Sequence, residues 1–557
     1  MCAATLFFML FYSVVQASEN TITLYGIYET TIQDDKEYKN PFDYTEVSYS
    51  AKFTSPDSKV FYVTGFYDGH NSQGIRIWKI RFMPDKPGVW SYIVKNNQDL
   101  SVRNGQFKVT SAIAYTGNRG HISVDPDNPK YLIHSDGTPH YWVGGKWIAA
   151  RDYGPKEKSG QANKGFDNRV KLSYGHKTNL QLINYLDLLE QFQHNGLLLK
   201  IALYPLENDK VSWDLDWIRR GEWIINEALK RGIYVQVNMF DTWSRDKNQY
   251  FVHNMDGKKQ LFDVWHAGNE HYKKNYLQYL VSRFAAFANV YWELGNEMEH
   301  NPNCGKCFIK QANEKYIPWI RQFDPYDLPI GLSENIWRAT NVDIGFLHHA
   351  NKLPGSSMLK PVIMNELVRY DFSQSFPQKV WRKLFGQKLP RGLWHDDAIN
   401  NPELRFIFRK AFWQVFTHGG SGISEATWLN IDNNISQAAL NVMKDHSILI
   451  TLIKDIQSEL NMTNPIYDFI TSEDADIKIS SRGNNSIIIS YFDAGINAQI
   501  SSNDISIKNI NASYNVQWLN PSTGNKTAIQ LLEKGNNIKL QRPEFREDII
   551  LLLKKVN

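Results

Sequence analysis

Between about residues 20 and 112, apolar and polar positions alternate in short runs such as TEVSYSAKFTS, KVFYVTGFYDG, IRIWKIRFMP and VWSYIVKN. Turn-forming residues separate them, including Pro84-Asp85-Lys86-Pro87-Gly88. A period of two turns one face of each run inward, and several such strands at close spacing predict a β-sandwich over 18–115. From about residue 130 the pattern changes. Short apolar runs at 140–147, 196–205, 233–243, 289–297, 328–335, 344–350, 360–366 and 421–429 read as strands. Between them, LINYLDLLEQFQHN, DWIRRGEWIINEALKRG, HYKKNYLQYLVSRFAAFA and PELRFIFRKAFWQVFTHG repeat apolar residues every three and four positions, as one buried helix face requires. Eight strands with intervening helices predict a (β/α)8 TIM barrel over 116–460. An open doubly wound sheet is the alternative, but no Gly-rich phosphate turn follows the first strand. Strand-like runs return beyond residue 465, as in SIIISYFDA and YNVQWLNPSTG, and predict a β-sandwich-like module over 461–557. The chain therefore reads as multidomain, with a barrel between two β-modules.

Composition narrows the partners. A formal charge of +4 over 557 residues gives no basic face for nucleic acid. The aromatic fraction of 13% is high, which suits a packed core and equally a cleft that stacks sugar rings. An N-terminal apolar run ending in Val15-Gln16-Ala17 reads as a cleavable leader over 1–17, so export or a periplasmic location is expected. No later stretch reaches the ~18–20 uninterrupted apolar residues of a membrane span. Cys2 would leave with the leader. Cys304 and Cys307 remain as CGKC, read as a local disulfide, since two thiolates are too few for a structural zinc site.

In a barrel of this kind reacting groups stand at the C-terminal strand ends, where the loops build the cleft. That rule separates two copies of one triplet. Gly268-Asn269-Glu270 precedes an amphipathic run, so Asn269 reads as a helix N-cap and Glu270 as a first-turn acid. Gly295-Asn296-Glu297 instead closes the fourth strand, and KPVIMNE delivers Glu366 at the end of the seventh. Two carboxyl groups approaching from opposite sides suit double displacement at a glycosidic bond: one attacks, the other moves protons.

Asn296-Glu297 and Glu366 resemble the signature of the clan A retaining glycoside hydrolases. The PVIMNE segment and the flanking β-modules are further similar to an apiosidase-like subgroup of secreted bacterial enzymes. The resemblance implies Glu297 as acid/base, Glu366 as nucleophile and Asn296 as donor to the substrate 2-hydroxyl. It implies a polysaccharide or oligosaccharide substrate and names no particular sugar. No cofactor and no metal are needed, because the protein itself supplies charge, proton and position.

Other strand ends offer substrate contacts. Trp428 follows the eighth strand as a platform for a sugar ring, His348 ends the sixth, and Trp147, Asp241 and Tyr370 close or follow the first, third and seventh. Lys146, Tyr204, Trp243, Glu334, Asn335 and Glu425 occupy similar places. Two other functions use the same scaffold. A non-catalytic carbohydrate-binding protein would retain glycan without releasing reducing ends, and a polysaccharide lyase would leave unsaturated ends.

Overall fold

The computed structural model describes residues 21–149, 178–201, 213, 215–241, 251–253, 259–261, 270–300, 305–333, 335–348, 359–366, 402–426 and 437–556. Eight parallel strands close a barrel: β1 (Trp142–Ala149), β2 (Gly196–Lys200), β3 (Tyr234–Asp241), β4 (Val290–Asn296), β5 (Ile330–Ser333), β6 (Ile344–His348), β7 (Val362–Glu366) and β8 (Gly422–Ala426). Each falls on a run read as a strand in the sequence. Strands buried on both faces read as continuous apolar runs, and every residue of β4 is buried.

The helices form the outer layer. Among the described residues they are α1 (Asn179–Gln191), α2 (Leu215–Lys230), α3 (Glu270–Phe284), α4 (Gly305–Gln311), α5 (Ile317–Phe323), α6 (Pro402–Thr417) and α7 (Gln437–Asp455). Thr178 starts α1 with a reciprocal capping box to Gln181, satisfying two orphan backbone donors. Glu270 opens α3, as the first triplet predicted, and pairs with Lys315. Gly268 and Asn269 lie outside the described residues, as do the leader over 1–17, Tyr204, Trp243, Glu334, Trp428, Tyr370 and Cys304.

The N-terminal end of the barrel is closed. Inward residues Trp142, Leu198, Tyr234, Tyr291, Phe346 and Ile363 form one buried cluster with Ile122 and Leu132. The last two belong to a three-stranded sheet, 122–124, 132–134 and 139–140, that lies across this mouth. The opposite end is therefore the one left to carry a cleft.

Upstream, a five-stranded and a three-stranded sheet enclose their own aromatic core around Phe53, Trp78, Phe82 and Trp90. Alternate residues of Tyr49–Thr54 are buried, the period-two signature of the sequence. Downstream, a six-stranded sheet and a three-stranded sheet pack around Phe492, Ile505, Leu551 and Leu553. Both modules are bolted to the barrel by buried ions. Arg283 of α3 stands 2.8 Å from Asp68 of the N-terminal module and 2.7 Å from Glu222 of α2. Arg409 of α6 reaches Asp548 at 2.8 Å and Glu547 at 3.0 Å in the C-terminal module. Each guanidinium meets several carboxylates, which offsets the desolvation cost of burying the charge.

Candidate active site

β4 ends in a local geometry that the Gly-Asn-Glu triplet explains. At Gly295 an added Cβ would stand 2.5 Å from Cγ of Met298, so the methionine side chain can fold back under the strand only if residue 295 is glycine. Glu297 then takes φ of +50°, in the left-handed region that L side chains rarely occupy. Its backbone N–H donates to Oγ of Ser333 at 2.6 Å, and the Ser333 hydroxyl donates to the Gly295 carbonyl at 3.2 Å. One β5 side chain thus holds both the strand end and the strained residue after it. Strain of this kind costs on the order of 1–3 kcal/mol and collects at functional sites.

His348, the last residue of β6, faces the same space. Its Nδ1 lies 3.0 Å from Oε1 of Glu297, with the two side chains 0% and 2% exposed. In the backbone register His348 is paired with Glu366 at the end of β7, and Asp241 at the end of β3 is paired with Asn296. Strands β4, β6 and β7 thus bring Asn296, Glu297, His348 and Glu366 to one barrel mouth. Trp147 sits in β1 beside Leu198 of β2. The side chains of Trp147, Asp241, Glu366 and Cys307 lie outside the described residues; their backbones are in β1, β3, β7 and α4. The sequence pointed to Glu334 and Asn335 at the end of the fifth strand; Ser333, one residue earlier, is the one that touches Glu297.

A polar tier lies just beneath the mouth. Glu293 is wholly buried, and its Oε2 accepts from Gln236 Nε2 at 2.9 Å and from Asn238 Nδ2 at 3.1 Å. The Tyr291 hydroxyl donates to Gln236 Oε1 at 3.1 Å, which fixes the amide so that its nitrogen faces the carboxylate. Burial drives the Glu293 carboxyl up to about 7, against the two amide donors and the charges of His348 and Lys200. Sequence reasoning gave Glu293 no role. Its signal was present in IYVQVNMF, where Gln236 and Asn238 alternate with Val235, Val237 and Met239, marking a polar inner face. Among the described residues, no group of three or more His, Cys, Asp or Glu side chains could hold a metal ion.

This geometry can be set beside known proteins. Residues 168–365 match the cellulase family, glycosyl hydrolase family 5. The match to a glycoside-hydrolase family thus covers most of the barrel, from ahead of β2 to Asn365. Residues 21–97 match a domain of unknown function, DUF5060. Among solved structures, a Bacteroides vulgatus ATCC 8482 protein provisionally described as a glycoside hydrolase aligns over 97% of this chain and 100% of its own. The TM-score is 0.64 at 16% identity, which speaks to the fold, flanking modules included. A glycoside hydrolase family 5 protein from the same strain aligns over 79% of this chain and 94% of its own, with a TM-score of 0.52 and 13% identity. No curated protein matches the chain. No helix among the described residues is long and apolar enough to cross a membrane.

Proposed function

We propose that the chain is an exported retaining glycoside hydrolase acting on a polysaccharide or oligosaccharide, with 1–17 as its leader. Glu366 and Glu297 are its two working carboxyl groups. The observation that carries this reading is the strained, buried Glu297 at the end of β4, touched by His348, whose backbone neighbour is Glu366. A buried carboxyl group held in the left-handed region is costly to keep, and such strain collects at functional sites. The match to a glycoside-hydrolase family over the same strands supports the reaction class.

In the first half-reaction the Glu366 carboxylate attacks the anomeric carbon as the bond to the leaving oxygen breaks, and Glu297 gives that oxygen its proton. A covalent glycosyl ester on Glu366 results. In the second, Glu297, now ionised, takes a proton from water as the water oxygen attacks the same carbon, freeing Glu366. Asn296 donates to the 2-hydroxyl. Trp428, Trp147, Asp241 and Tyr370 line the sugar subsites, and Cys304 and Cys307 staple the loop after β4. The division into a leader, modules at 18–115 and 461–557 and a barrel at 116–460, and membership of the apiosidase-like subgroup, belong to the same proposal.

A depolymerisation screen over a panel of polysaccharides tests it. New reducing ends with no rise in ultraviolet absorbance are expected, and 1H NMR of the first product should show the substrate's own anomeric configuration. Retention of glycan without cleavage would favour a binding protein, and unsaturated ends would favour a lyase.

A further inference from the structure

The polar tier beneath the mouth is more than a way to fill the barrel. We propose that Glu293 is a positioning residue, a buried carboxyl one tier below Glu297 that sets how tightly His348, and with it Glu297, holds a proton. The inference rests on the reading of Glu297 as acid/base only for its consequence in turnover.

Glu293 lies within β4 and Glu297 four residues on, just past its end, the lower one fixed by the β3 amides and the upper one by Ser333 and His348. Toward β6, the neighbour in register with Glu293 is Gly331 of β5, which carries no side chain. A Cβ at Gly331 would stand 2.2 Å from the Phe346 ring, so nothing larger than glycine fits there. The space at Gly331 is thus taken by the Phe346 ring of β6, and His348 is the next residue of that strand on the same face. A protonated His348 ring, like Lys200, would favour the ionised form of the Glu293 carboxyl against its burial. Among the described residues, the other charged or titratable groups acting beside Glu293 are Lys200 of β2 and Tyr291 of β4.

The amide pair favours the ionised carboxylate while burial favours the neutral acid, and these opposing effects leave Glu293 changing charge near neutrality. An ionised Glu293 strengthens proton binding at His348 and at Glu297, since a negative neighbour raises the affinity of both. A purely structural Glu293, serving only to tie β3 to β4, would leave those proton affinities unmoved when replaced by an isosteric amide.

The test needs no substrate. Histidine-selective 15N NMR gives the titration midpoint of His348, whose signals are assigned by their loss in His348→Asn. Replacement Glu293→Gln keeps the shape and removes the charge, so the His348 midpoint is expected to fall by about one pH unit. The alkaline limb of kcat/KM should move to lower pH in step. An unmoved His348 midpoint in a variant with wild-type Tm overturns the proposal. Should that variant fail to fold, Gln236→Leu removes one donor, keeps Glu293 neutral to higher pH, and should lower the midpoint by a smaller amount. No change there overturns the proposal equally. Absence of hydrolysis on every glycan, with the midpoint shift present, would sink the functional reading and leave this one standing.

Discussion

The two ends of the barrel are built from the same alternating strands and are equally buried, yet they carry opposite chemistry. At the N-terminal end the inward positions hold Trp142, Leu198, Tyr234, Tyr291, Ile344 and Ile363, sealed by Ile122 and Leu132. Toward the other end they hold Gln236, Asn238, Glu293, Ser333, His348 and Asn365, each at most 1% exposed. Burial of apolar area is enough to explain the first set. The second set costs free energy to bury, offset by hydrogen bonds such as those from Gln236 and Asn238 to Glu293, from the Glu297 N–H to Ser333 and between His348 and Glu297. The comparison separates what holds the barrel together from what the barrel is for.

The largest effect should come from the polar mouth. Glu297→Gln and Glu366→Gln are each expected to lower kcat by about 10³-fold or more, because proton transfer and the nucleophile are lost outright. Thermal midpoints within a few degrees of wild type would separate this from unfolding. The opposite outcome belongs to the plugged end. Ile363→Ala is expected to cost about 2–5 kcal/mol in urea unfolding while the folded fraction keeps its KM and pH profile. A loss of kcat per folded molecule there would erase the distinction between the ends.

Ser333→Ala probes the join between strain and chemistry. It strands the buried Glu297 N–H, at about 1–3 kcal/mol, and frees φ at that residue, so a drop in Tm should accompany a roughly tenfold lower kcat. Stability lost without any change in kcat would reduce Ser333 to a packing residue. The smallest effect concerns pH. At the closed end burial holds His134 down at about 3 and His140 well below its ordinary value, in a chain running His140 to His134 to the Tyr234 hydroxyl. Depressed histidines contribute stability that is present above about pH 6.5 and is lost as pH falls toward their folded values. Glu293 at about 7 acts in the reverse sense, contributing stability that is lost as pH rises. His140→Asn should therefore flatten the fall of Tm between about pH 6.5 and 4 and leave the neutral side unchanged. An unaltered acid slope would mean that this chain does not sense pH.

Much of this architecture was legible before any coordinates. All eight strands could be read because buried parallel strands are short, nearly continuous apolar runs, and α1 and α2 because each buries one stripe, whereas α3 and α6 share the three- and four-residue spacing but are buried on most of their surface. Glu297 was legible as a polar residue closing such a run. The tier below it was not. In a run as apolar as NVYWELGN a single Glu293 reads as an exception, and only the closed barrel shows Gln236 and Asn238 on the neighbouring strand turned toward it. Ser333 was missed for a related reason. A small hydroxyl carries little signal until the backbone it holds is seen to be strained.

In the proposed mechanism the carboxyl groups ending β4 and β7 work as a pair, with Glu366 forming the covalent bond. Incubation with an activated 2-deoxy-2-fluoro glycoside of the sugar identified by the screen, followed by mass spectrometry of peptides, tests it most directly. The account predicts a gain of one fluorosugar on the peptide carrying Glu366, absent in Glu366→Gln and slow to hydrolyse. A label on any other residue, or turnover with inverted product and no adduct, would contradict it.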